Sequence, residues 1–170
     1  MDLALRKLSM KKGTIFAGFI AQMDDVINKA KSNPELKKYA EQLDKTKTLI
    51  LDVPKVFAEK TGQGQIYYSF LQASPFIEAA GDVIISWFLL WAAEIAQEKL
   101  NNLFKENGAA VPEKQKALII NNKNAAFYSG KVQAAKFFIG NILPITDGRL
   151  EAIKWGDASA WDICEQAFGH

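Results

Sequence analysis

At 170 residues the chain is the size of one ordinary domain, and 49% hydrophobic with 24% charged content is the composition of a packed core, not of a disordered segment. Its 21 lysines and arginines against 19 aspartates and glutamates leave a formal charge of +2, too small and too scattered for phosphate neutralisation, so no nucleic-acid partner is expected. A single cysteine, Cys164, excludes an internal disulfide and fits a reducing, cytoplasmic setting; its neighbours Trp161 and Phe168 point to a buried thiol.

The first predicted helix runs from about Thr14 to Lys31, with Ile15, Phe16, Phe19, Ile20, Met23, Val26, Ile27 and Ala30 at steps of one, three and four. Ser32-Asn33-Pro34-Glu35 ends it, and Ser32 and Glu35 stand at capping-box spacing. The second helix carries Leu36, Ala40, Leu43, Ile50, Val53 and Phe57 on one stripe. Pro54 removes a backbone donor inside that stripe, which predicts a kink or break near Asp52.

The third segment sets Ile66, Phe70, Ala73, Ile77, Ala80, Ile84, Trp87 and Trp91 at alternating steps of four and three, the seam spacing of nearly parallel packed helices. Ile85, Phe88, Leu89 and Ala92 widen the stripe. A short break is expected at Ser74-Pro75, and the main helix should reach about Phe104. Its longest uninterrupted apolar run, Trp87 to Ala93, is far below the ~20 residues of a membrane span.

Asn107 to Pro112 reads as a loop. A fourth helix is expected from about Glu113 to Ile142, with Ala125, Ala126, Ser129, Gly130, Ala134 and Ala135 letting a neighbour approach closely. Pro144 and Asp147-Gly148 should close it, and short helical pieces should follow near Arg149–Lys154 and Ala158–Phe168. No alternating strand pattern occurs. Four long amphipathic helices joined by short turns bury their stripes most economically as an antiparallel up-down four-helix bundle with short extra helices at the C-terminus, one all-α domain over residues 1–170.

The inventory for chemistry is thin. The one histidine is the last residue, His170, which excludes the usual Ser-His-Asp and Cys-His arrangements and, with one cysteine, the familiar zinc ligand sets. Neither a Gly-rich phosphate loop nor a Glu-x-x-His pair occurs, so no catalytic, cofactor-binding or metal-binding residue is assigned. Glu78 and Glu94 on the apolar third helix should reach solvent or pair with a lysine, and Asp24-Asp25 and Asn121-Asn122 should lie at the surface. Trp87, Phe88 and Trp91 belong either to the core, as aromatic residues at helical spacing ordinarily do, or to a subunit contact, where such residues act as anchors. They are the candidate interface residues. Lys11, Lys12, Lys29 and Lys31 flank an apolar face, but a buried face explains that stripe without lipid, and no membrane contact is expected.

Two stretches resemble the C-terminal helical extension of acyl-CoA dehydrogenases, in a bacterial subgroup that includes enzymes resembling 3-methylmercaptopropionyl-CoA dehydrogenase. Met1-Asp2-Leu3-Ala4-Leu5-Arg6-Lys7-Leu8 resembles the segment joining the catalytic body to the extension, which would make residues 1–12 a connecting segment. Residues 125–138, AAFYSGKVQAAKFF, followed by Leu143-Pro144, resemble the extension's last long helix, and Gly81 and Trp87 sit where its third helix tends to have Gly and Trp. The resemblance implies FAD-dependent oxidation of acyl-CoA thioesters by a parent enzyme. The glutamate base and the flavin- and CoA-binding regions would precede Met1, so none falls on a position of this chain. The expectation is a non-catalytic accessory or oligomerisation domain, with the catalytic body or a second copy of itself as partner and no cofactor of its own. The alternative is a free-standing helical interaction module, possibly a homodimer.

Overall fold

The computed structural model describes residues 14–169, which are helical with no strand among them. The expected connecting segment 1–12 and His170 lie outside the described residues. In chain order the helices are α1 (Thr14–Lys31), α2 (Lys37–Gly62), the short α3 (Tyr67–Leu71), the long α4 (Ala73–Glu106), α5 (Pro112–Asn121), α6 (Lys123–Asn141) and α7 (Leu143–Trp155), followed by 3-10 turns at Ser159–Trp161 and Glu165–Phe168.

Helix α1 has the predicted bounds but buries only its second half, through Met23, Ile27 and Ala30; Ile15 near its start is exposed. The capping box is not formed. Asn33 Oδ1 accepts from the Glu35 amide, Ser32 donates back to the Asn28 carbonyl, and the Glu35 carboxylate pairs with Lys136 of α6 at 2.8 Å. Helix α2 continues through Pro54 without a break. Val53 and Phe57 on either side of the proline are buried in one cluster with Tyr68, Phe76, Leu150 and Ile153, and this packing holds the helix across the missing hydrogen bond.

The break predicted at Ser74-Pro75 falls instead at Gln72. Pro75 thereby occupies the first turn of α4, where its absent N–H has no partner to lose. The buried side of α4 is also shifted from the predicted seam: Ala73, Phe76, Ala79, Val83, Ser86, Trp87, Leu90, Ala93, Ala96 and Leu100 face inward, while Ile66, Phe70, Ile77, Ile84 and Trp91 are exposed. Both stripes have helical spacing, and which one faces the other helices is a matter of tertiary packing.

The fourth predicted helix is divided. Asn122 takes an extended conformation, and its side-chain oxygen accepts from the amides of Asn124 (2.9 Å) and Ala125 (3.0 Å), capping α6 and ending α5. Of the small residues, Ala125 and Ala135 are buried with Val132 and Ile139, whereas Ala126, Gly130 and Ala134 face outward. Asp147-Gly148 is not a turn but lies within α7, held there by buried Leu143, Leu150 and Ile153 and by the hydrogen bonds of Asp147. Gly156, at φ +80°, ends α7 in the left-handed conformation. Beyond it only 3-10 turns form, and Cys164 is exposed rather than buried, because no helix covers it.

Helix α4 packs most extensively on α6 and also touches α1, α2 and α7; α2 packs on α1, α7 and α6. The main core joins Met23 and Ile27 of α1, Leu43 of α2, Val83, Trp87 and Leu90 of α4, and Val132 and Ile139 of α6. A second cluster under α3 is tied by the buried Tyr68 hydroxyl, which donates to the Ile153 carbonyl of α7. Burial raises that phenol's pKa.

Candidate functional site

The three aromatic candidates separate on the structure. Trp87 is 4% exposed and packs edge-on to Phe19 of α1, with ring centroids 5.1 Å apart. Phe88 and Trp91 are 50% and 46% exposed and lie over it, at 4.5 Å and 6.2 Å from its ring. One aromatic therefore roots the group in the core while two reach the surface. The Trp87 Nε1–H is buried without a hydrogen-bond acceptor, so its ring contributes packing rather than a polar contact.

Phe88 and Trp91 continue into a longer exposed row. Ile77, Ile84, Phe88, Trp91 and Ile95 are all exposed, and with Gly81 between the first two they follow steps of four and three along α4; Ile85 lies beside them. The sequence shows the apolarity of these positions, and its spacing predicts Ile77, Ile84 and Trp91 inside, where the structure exposes them. The signal that distinguishes them is the absence of small residues. The inward side uses Ala73, Ala79, Ala93 and Ala96, which permit close helix approach, whereas the outer row is built of large side chains around one glycine.

Charged pairs border this row. Glu94 pairs with Lys29 of α1, and Glu78 and Asp82 meet Arg149 of α7 at 3.5 and 3.3 Å. Thr146 donates to Asp82 at 2.7 Å. Of the two outcomes expected for these carboxylates, solvent or a lysine, Glu94 takes the lysine, while Glu78 reaches solvent and meets an arginine instead. Between α1 and α2, Lys47, nearly buried on α2, is clamped between Asp24 and Asp44, and Lys31 also reaches Asp44 at 2.6 Å. Lys29 and Lys31, considered for lipid contact, are thus both engaged in ion pairs.

Among the described residues no group of three or more His, Cys, Asp or Glu side chains is placed to hold a metal. Two surface grooves, one lined by Asn101, Phe104, Lys105 and Gln115 and one by Glu151, Lys154 and Trp155, are wide open to solvent. Neither has the enclosed slot and converging phosphate donors that a flavin dinucleotide needs, so these grooves do not fit that group. By length and composition α4 is apolar enough to cross a membrane, yet its inner stripe is covered by α1, α2, α6 and α7.

The described residues are all-helical and carry an exposed apolar row along α4. The chain belongs to the family described as acetyl-CoA dehydrogenase C-terminal like, whose model matches residues 19–163. It is 28% identical over 167 residues to a butyryl-CoA dehydrogenase of Syntrophomonas wolfei and 29% identical over 175 residues to the broad-specificity linear acyl-CoA dehydrogenase of Mycobacterium tuberculosis. In both cases 98% of this chain is aligned, but the chain spans only about a quarter of the relatives' length, 25% and 26% respectively.

Proposed function

We propose that the chain is a non-catalytic C-terminal accessory domain of an FAD-dependent acyl-CoA dehydrogenase acting in cytoplasmic fatty-acid metabolism, packing on the catalytic body or stabilising its oligomer. The observation that carries this reading is the family match over most of the chain, combined with relatives about four times its length. Base, flavin and thioester sites would belong to the other three quarters of such an enzyme. The helices are read as an antiparallel up-down bundle of α1, α2, α4 and the α6–α7 run, with α3 and α5 as connecting pieces. The finer placement near enzymes resembling 3-methylmercaptopropionyl-CoA dehydrogenase rests on the sequence of residues 1–8, on residues 125–138 with Leu143-Pro144, and on Gly81 and Trp87.

The test mixes the purified chain with the catalytic portion of an acyl-CoA dehydrogenase encoded in the same genome. Co-elution and a change in FAD-dependent turnover are expected. If the two elute separately and turnover is unaltered, the reading fails. The alternative, a free-standing helical interaction module, is favoured by the exposed row on α4, and it predicts self-association with no affinity for any catalytic body.

A further inference from the structure

We infer that the outer row of α4 is a self-complementary interface that pairs antiparallel with the same row of a second copy of this chain. This inference concerns the chain by itself and stands apart from its assignment to a dehydrogenase. Ile77, Gly81, Ile84, Phe88, Trp91 and Ile95 alternate steps of four and three over five intervals, which is the seam that lets one helix lie along another. Nothing described covers this row: the large side chains on it are between 36% and 50% exposed, and a Cβ added at Gly81 would meet no atom within 4 Å.

The residue sizes choose the orientation. In a parallel pair each residue meets its own copy, so one layer holds two glycines and another two tryptophans, a void beside a clash. Running the second copy the other way, with Ile77 level with Ile95, sets Gly81 against Trp91 and Ile84 against Phe88. Each of the two Gly–Trp layers then places the largest side chain over the smallest, and layer volumes become even. Ile85 falls beside the two-fold axis next to its own mate. Opposed helix dipoles favour the same orientation.

Charge does not oppose the contact. Between Asp82 and Glu94 the helix carries no ionisable side chain. The carboxylates at the border, Glu78 and Glu94, each have a cation of their own in Arg149 and Lys29, so bringing these ends together adds no unpaired charge. The rim is polar and the centre apolar, the usual anatomy of an interface. Phe88 and Trp91, aromatic side chains of ~150–250 Å² about half exposed, together with four smaller isoleucines on the same face, bury on the order of 1,000 Å² over two copies, the lower edge of what a specific interface requires. A reversible, concentration-dependent dimer follows.

Sedimentation equilibrium of the full 170-residue chain over a wide concentration range is the measurement. A monomer–dimer equilibrium is expected. Trp91→Glu should weaken the dimer by about 30-fold or more, as the loss of an interface anchor does. Gly81→Leu should weaken it by about 10-fold or more by filling the slot for Trp91 of the second copy. Ile120→Glu, at an exposed apolar position on α5, should leave it unchanged. Circular dichroism and thermal melting identify any variant that has lost the fold. Spin labels at Asn102 should lie about 50 Å apart in the antiparallel pair and about 10 Å apart in a parallel one. A chain that stays monomeric throughout, a dimer that survives Trp91→Glu, or a short label distance would each overturn the inference, while association with a catalytic body remains a separate measurement.

Discussion

Asp147 shows how a single residue organises the helices around it. Its carboxylate, nearly buried on α7, accepts from Lys45 Nζ at 2.8 Å, Thr46 Oγ1 at 2.6 Å and Gln42 Nε2 at 2.9 Å, all from α2. Burial pushes its pKa up, but the hydrogen bonds from Lys45, Thr46 and Gln42 outweigh this and hold it below the usual carboxylate value. A carboxylate whose folded pKa is depressed contributes stability that is complete above its unfolded pKa of about 4. That contribution is lost as pH falls through the lower folded value. Asp44, held down against burial by Lys31 and Lys47, acts in the same direction. Asp147→Asn keeps the shape but removes the charge, and should cost about 1–2 kcal/mol at pH 7. Urea unfolding at pH 7 and pH 3 checks this: the difference between variant and parent should shrink at the lower pH, and a constant difference would contradict the assignment. None of this was legible beforehand, because Asp147-Gly148 is a turn signal locally and only the approach of α2 makes it a helical anchor.

At the scale of elements, the division between α5 and α6 depends on one side chain. With apolar periodicity on both sides, residues 113–142 read as one helix. The competing signal is Asn122, a residue type that caps helix N-termini well. In the structure its oxygen receives two amides and the helix starts afresh at Lys123. Asn122→Ala should destabilise the chain by about 1 kcal/mol, and hydrogen exchange should speed up first at Asn124 and Ala125. Unchanged exchange at those amides would show that the cap has no energetic role. Pro54 teaches the converse lesson. A strong local breaker was overridden because Val53 and Phe57 bury themselves together in the second cluster, and tertiary burial exceeds the cost of one lost hydrogen bond.

Along its length α4 has two faces, one buried against the other helices and one exposed. This division yields a paired prediction. Leu90→Ala, at a fully buried position in the main core, should cost about 2–5 kcal/mol. Phe88→Ala, two residues away but half exposed, should leave the isolated monomer within about 1 kcal/mol of the parent. Denaturant midpoints at concentrations below any self-association decide this, and equal losses at both positions would mean that the outer face is buried after all.

Periodicity alone determined that the described residues are helical, that α1 spans Thr14–Lys31 and that a loop follows Asn107; it left Trp87, Phe88 and Trp91 between core and surface, and the structure buries the first and exposes the other two. Resemblance in residues 125–138 and Leu143-Pro144 pointed to the family that residues 19–163 match. Tertiary structure decided which of two equally spaced stripes on α4 faces inward, where proline and Asp-Gly signals are overruled, and that Cys164 lies at the surface. The reason is that helical spacing reports only the angle between side chains around an axis. The direction in which the chosen face points is set by the helices that arrive beside it, and those contacts join residues far apart in the chain.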